Sequence, residues 1–369
     1  MNEAREIEAV SIPFTLGIAT VTASIGHIHH AQASIAAGAA MILCVCILAA
    51  LLMRKGGLWL IVGLFFCAGA FCCLSNGLCV REGSPGALRR MADICLERLR
   101  GRIASIPFPH SSTNALVCAL MTGDRSGLTA AQTGAFRDAG AAHILALSGL
   151  HLGVIYLIAG KLLSVMGNSL TAKRIRFAVI TLCSGFYTMM TGAGPSIVRA
   201  FIFIVLNEAG KLSPERSRTP ARTLLIALTL QLAVDPSVIS SLGFQLSYLA
   251  MAGLMFMCPW LESWYPEGGV LSRFDPMRRI WKGTAMAVSC QCFTAPLAWL
   301  RFHTFPEYFL LTNLLAMPLT TAVMASSVMT VCLDCVGIQS VKAAGATDWL
   351  VQTLLGILER ISGLPSILG

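Results

Sequence analysis

Charge is what this sequence has least of. Asp, Glu, Lys and Arg make up 12% of its 369 residues, about half the share of an ordinary soluble domain. The 27 basic and 18 acidic side chains are too few to cover a water-soluble surface of this size. Two catalytic signatures are missing as well. There is no Walker-type GxxxxGK[ST] loop to power a motor and no G-x-S-x-G elbow to present a hydrolase serine. A cleavable leader is also not in view: Glu3, Glu6 and Glu8 oppose Arg5 within the first ten residues, and no small-residue cleavage site with a polar mature start follows. The first apolar segment is therefore expected to stay in the protein.

What fills the space is hydrophobic: 56% of residues, with a mean hydropathy of +0.73. The expected fold is all-α, a polytopic integral membrane helical bundle of about ten transmembrane helices, broken or kinked near Pro195 and Pro318. Apolar stretches long enough to cross, or nearly so, lie at 10–29, 33–53, 58–80, 141–163, 174–193, 195–210, 221–235, 237–258, 282–300 and 308–334. In chain order this gives N-terminal spans (1–80), a basic amphipathic linker (81–110), a core (111–338) and a C-terminal amphipathic helix (339–369) expected at the membrane surface. In the linker, Leu88, Met91, Ile94, Cys95, Leu99 and Ile103 recur at helical spacing between arginines. They fit an interfacial helix or a solvated one.

The +9 net charge is unevenly placed. With the N-terminus inside, Arg54, Lys55, Lys161, Lys173, Arg174, Arg176, Lys211, Arg216, Arg218, Arg222, Arg273, Arg278, Arg279 and Lys282 fall on one side, as the positive-inside rule asks. The stretch from Arg81 to Arg137 is the exception. Most of the fourteen cysteines sit in apolar runs and read as small hydrophobes. Cys332 and Cys335 have redox spacing without a thioredoxin-like context. His27, His29 and His30 lack acidic or cysteine partners, so no metal and no cofactor is expected.

The densest pattern of polar residues and glycines lies in Gly123-Asp124-Arg125-Ser126-Gly127-Leu128, followed by His143-Ile144-Leu145-Ala146-Leu147-Ser148-Gly149-Leu150-His151-Leu152-Gly153. With Thr191-Gly192-Ala193-Gly194-Pro195-Ser196-Ile197-Val198-Arg199-Ala200, then Ser241 to Ala250, and then the weaker Thr294 to Leu319 block, this order resembles the membrane core of ComEC-type competence proteins over roughly 112–335. The resemblance implies a channel, or channel subunit, for single-stranded DNA entering a bacterium across its inner membrane. It implies no nuclease here, since the His-x-His-x-Asp-His metal motif is absent. The chain is expected to lack the oligonucleotide-binding and metallo-β-lactamase-like domains common in the family.

The residues allow two readings at each point. Ser148 and His151 share a face on one expected helix, with His143 near its start. They could line a path or bond a neighbouring span. Pro195 suits a first helical position, where Ser196, free N–H groups and Arg199 could hold a phosphate; alternatively Arg199 pairs with Glu208. Phe244, Gln245 and Ser247 offer stacking and polar contact to a strand, or core packing. Asp124 and Arg125 read as a structural turn with an ion pair between neighbours, and Gly192, Gly194 and Pro195 as a second structural turn. An intramembrane hydrolase built on Ser148 and His151 and a reduced accessory paralogue are the rival functions. Expected partners are single-stranded DNA, membrane lipids, and separate DNA receptor, nuclease and cytoplasmic motor proteins, with self-association left open.

Overall fold

The structure, a computed structural model, describes residues 3–24, 30–52, 58–78, 86–212, 219–265, 275–303 and 306–365. Among these there is no β-strand. The helices in chain order are α1 (Glu3–Ser24), α2 (His30–Leu52), α3 (Leu58–Leu78), α4 (Ala87–Ser105), α5 (Ser111–Thr122), α6 (Ala130–Asp138), α7 (Ala142–Leu145), α8 (Gly149–Leu163) and α9 (Leu170–Met190). After them come α10 (Pro195–Leu212), α11 (Pro220–Val234), α12 (Leu242–Phe256), α13 (Cys258–Glu262), α14 (Pro276–Phe302), α15 (Phe309–Cys335) and α16 (Val341–Ser362). Arg54, Lys55, Arg81, Arg216, Arg218, Arg273, His27 and His29 lie outside the described residues.

A helix occupies each of the ten expected stretches. Among the described residues five are both long and apolar enough to cross a membrane: Ile7–Ser24, Trp59–Asn76, Gly149–Met166, Leu242–Glu262 and Phe309–Cys335. Ala36–Leu48 and Pro220–Val234 are shorter apolar helices. Helices α9, α10 and α14 are long but carry charges such as Lys173, Arg199, Glu208 and Arg278.

Helix ends follow the sequence. Thr129 and Gln132 exchange side-chain bonds with each other's backbone N–H (3.2 and 3.0 Å) and open α6. Ser169 caps α9 at 3.1 Å, and Asp275 caps α14 ahead of Pro276. Of the two forms expected near Pro318, a kinked helix or a broken one, α15 is not broken: Pro318 lies inside it. The helix runs unbroken for 27 residues because packing against α16, α14 and α8 holds it where one ladder bond is lost. The break at Pro195 is real: α9 ends at Met190, Gly192 and Ala193 take φ of +84° and +51°, and α10 starts at Pro195.

The chain divides into two compact units, Met1–Ser84 with Leu206–Tyr248 and Pro85–Val205 with Leu249–Gly369. In the first, α1 and α3 meet backbone to backbone. A Cβ added at Gly17 would fall 2.1 Å from the Phe66 carbonyl oxygen, and one at Gly69 would fall 2.1 Å from that of Phe14. Only glycine permits this approach, the small-residue packing typical of membrane helices. Asp235 closes the end of α11 by donating its N–H to the Gln231 carbonyl and caps the 3-10 turn that follows by accepting from Ser237 N–H at 3.0 Å, and Asn76 Nδ2 of α3 reaches its carboxylate at 3.5 Å.

In the second unit Ile103, Leu116, Leu120, Phe136, Ile144, Met324, Leu354 and Leu358 form one buried core. Helix α16 closes it with Val351, Leu354, Leu355, Leu358 and Ile361. The apolar face expected to lie on lipid is therefore spent on α15, α5 and α6. A second core joins Ala92, Leu152, Ile180, Tyr187 and Ile197.

Candidate functional site

The polar residues singled out in the sequence concentrate at the start of α8. The expected span from 141 does not form as one helix. A short α7 holds His143, the chain turns extended at Ala146, and α8 begins at Gly149 with Ser148 as its N-cap (φ −123°, ψ 172°). Ile144, Leu145, Ala146 and Leu147 between His143 and Ser148 include no helix-breaking residue, so the apolar run looks continuous in the sequence. The serine wins locally because its Oγ accepts the Leu150 N–H at 3.3 Å, which a continuous helix would not allow.

His151 completes the cap. Its Nδ1 accepts the Ser148 N–H at 3.1 Å and lies 3.1 Å from Ser148 Oγ. Accepting a backbone N–H requires a lone pair on Nδ1, so the ring proton is on Nε2 and the ring is neutral. The ring is fully buried, and Nε2 has no hydrogen-bond partner. This geometry argues against a hydrolase. The lone pair a general base would use is bonded to backbone, and the serine oxygen is committed to the cap. His143 is exposed.

Arg199 reaches this helix start from α10. A Cβ built on Gly149 would lie 3.5 Å from the Arg199 nitrogen Nη2 and 3.2 Å from Ala200 Cβ. The structure thus gathers Ser148, Gly149, His151 and Arg199. At α10 itself the first N–H groups of Ile197 and Val198 turn back to the Gly194 carbonyl at 3.0 Å each. Ser196 sits beside them, half-buried, below the exposed Gly192 and Gly194. Arg199, one turn into α10, lies against the first residue of α8, and the α8 cap takes up the Leu150 N–H. What the pair offers an anion is guanidinium donors and a helix dipole.

The remaining candidates have other tasks. The neighbours Asp124 and Arg125 do not pair. Asp124 accepts from Ser126 N–H at 3.0 Å and lies 3.4 Å from Arg100, while Arg125 donates to the Leu145 carbonyl at 3.1 Å. The Ser126 bonds hold the Asp124 carboxyl below its usual pKa against some burial, with Arg100 helping. Gly123 ends α5 at φ +80°, its missing Cβ facing Leu147 at 2.5 Å. In the other unit, Phe244 is 4% exposed and stacks on Tyr248 at 4.6 Å. Gln245 donates to the Ile239 carbonyl at 2.8 Å, Tyr248 donates to Gln231 at 3.0 Å, and Ser247 is half-buried. Phe244 therefore shows no open face for a base to stack on. Cys332 and Cys335 are both exposed and free at the end of α15.

One polar cluster was not legible in the sequence. Asp348 of α16 accepts from Thr113 Oγ1 at 2.5 Å and from the His110 backbone at 3.3 Å, and its other oxygen lies 2.9 Å from His110 Nδ1. Its members are separated by 235 and 238 positions, with no shared local pattern to join them.

An all-helical membrane bundle with polar groups capping helix ends beside one arginine is the class these features define. The family model described as Competence protein matches residues 120–368, and the chain belongs to that family, of ComEC/Rec2 type. The match carries the core through α16, beyond the 335 boundary of the motif resemblance. Among curated proteins, the chain is 28% identical to ComE operon protein 3 of Bacillus subtilis (strain 168) over 213 residues, 58% of this chain and 25% of that one. It is 27% identical to the uncharacterized protein YcaI of Escherichia coli (strain K12) over 220 residues, 58% of this chain and 28% of that one. The match thus spans about a quarter of each relative's length. No solved structure matches.

Proposed function

We propose that this chain is a multi-pass protein of the bacterial inner membrane that takes part, without catalysing a reaction, in the entry of single-stranded DNA. Family membership supports a role in DNA uptake. The observation that carries the finer reading is Arg199 set against the first residue of α8, beneath the exposed Gly192–Gly194 turn. A cation in the apolar Ile197–Leu206 stretch of α10 is expensive to keep unless it serves a path or partner. A phosphodiester passing the Gly194–Arg199 end of α10 meets guanidinium donors and two helix starts whose dipoles favour negative charge.

In this reading Ser196 faces the strand, and Ser148 and His151 position the α8 start. Phe244 and Gln245 support the fold of their own unit. Lys161, Lys173, Arg174 and Arg176 at the α8–α9 connection lie on the cytoplasmic side. There Arg176 donates to the Leu163 and Gly167 carbonyls at 3.2 Å each and fixes the turn. Motor, receptor and nuclease activities come from separate proteins.

The test is uptake of labelled DNA in a deletion strain of the encoding bacterium carrying wild type, Arg199→Ala or Arg199→Lys. Arg199→Ala should accumulate normally and lose uptake. Arg199→Lys should retain part of it, because a point charge replaces a two-pronged contact. Full uptake with Arg199→Ala would remove the proposed role.

A further inference from the structure

Helix α4 leaves one of its sides without a protein partner. Ala92, Cys95, Leu96, Leu99 and Ile103 turn into the two cores of the second unit. Leu88, Met91 and Ile94, spaced three apart, remain 55%, 58% and 53% exposed. Arg89, Arg90 and Arg98 are exposed around that stripe, and none forms an ion pair among the described residues. Helix α4 carries five arginines against Asp93 and Glu97, and Glu97 is bound to Arg100 at 2.6 Å.

The far end of the helix fixes its level. Arg102 Nη1 lies 3.5 Å from Asp334 Oδ2, and Asp334 is the penultimate residue of α15, a helix long and apolar enough to span. The chain leaving α15 adds Val336, Ile338 and Val341, which are 77%, 53% and 83% exposed. Helix α4 is thus tied to the end of a spanning helix, where hydrocarbon gives way to headgroups, and the apolar exposure continues there.

From this placement we infer that the Leu88–Met91–Ile94 face of α4 docks on the anionic lipid surface of the protein's own bilayer. Its aliphatic side chains enter the headgroup boundary and Arg89, Arg90 and Arg98 meet lipid phosphates. Nucleic acid fits this face less well. A strand-binding surface interleaves cations with aromatic rings, whereas α4 contains no aromatic residue and sets aliphatic groups between arginines, the composition of an interfacial helix. The basic stretch that breaks the positive-inside pattern then has a lipid role. This inference goes beyond the transport reading and does not depend on it.

The experiment places an environment-sensitive fluorescent amino acid at Met91 of the full chain in nanodiscs of phosphatidylcholine alone or mixed with phosphatidylglycerol. Nitroxide-labelled lipid and aqueous iodide serve as the two quenchers. Lipid quenching should be several-fold stronger in the anionic discs, with iodide protection to match. The triple variant Arg89→Gln, Arg90→Gln, Arg98→Gln should fall to the phosphatidylcholine level while its gel-filtration profile stays unchanged. Iodide quenching that is equal in both discs without lipid quenching would overturn the inference. So would shielding that appears only when an oligonucleotide is added, or a triple variant that keeps full lipid quenching.

Discussion

Replacing Asp348 tests the packing of α16 onto the second unit. Its carboxylate accepts two hydrogen bonds, from Thr113 and the His110 backbone, and contacts the His110 ring. The side chain is 8% exposed, and Thr113 is fully buried. Three interactions at about 1 kcal/mol each, before any penalty for the stranded Thr113 hydroxyl, predict a loss of about 3 kcal/mol for Asp348→Ala. At roughly 2–4 °C per kcal/mol for a unit of this size, the apparent melting midpoint should fall by about 6–12 °C. Asp348→Asn keeps the shape and one acceptor oxygen and should lose about half as much.

Thermal unfolding in detergent, followed by the folded peak in gel filtration, reads both variants. Burial pushes the Asp348 carboxyl up, and the bonds from Thr113 and His110 more than offset this, so it titrates below the ordinary carboxylate value. A depressed folded pKa stabilises above the unfolded value and is lost as pH falls through the folded one. The gap between wild type and Asp348→Asn should therefore hold from neutral pH down to about 4 and close below it. An Asp348→Ala midpoint within about 2 °C of wild type, or a gap that widens in acid, would refute the reasoning.

Gly69→Val should separate α1 from α3 and cost about 3 kcal/mol or more, because the clash is with the Phe14 backbone at 2.1 Å. Gly38→Ala, with nothing within 4 Å, should be neutral, and yields of folded protein compare the two. Ser148→Ala removes the α8 cap and should cost about 1 kcal/mol in the same melting assay. His151→Leu loses the Nδ1 acceptor but also deletes a buried Nε2 that has no partner, so stability should stay within about 1 kcal/mol of wild type. A larger fall would show that Nε2 is satisfied.

Helix positions were readable because the chain is punctuated: Pro220, Pro276 and Pro195 stand at helix starts, and Gly123 and Gly192 supply positive φ at ends. The extent of α8 was not, since nothing in an apolar run reveals that a serine within it will cap. Amphipathicity showed that α16 has one apolar face without showing what covers it; lipid and protein ask for the same residues. Asp124 and Arg125 looked paired because they are adjacent, yet adjacent side chains diverge and each found a partner across the fold. Of the candidate site, the proximity of Arg199 to Gly149, 50 positions apart in the sequence, depends on how α8 and α10 cross, which no local spacing encodes.

The central claim is that this chain takes part in DNA entry. Its most direct test is the amount of labelled strand protected from external nuclease in cells lacking the gene, with and without the chain restored. The account predicts loss of protected DNA in the deletion and recovery on complementation. Wild-type levels of protected strand in the deletion would contradict it.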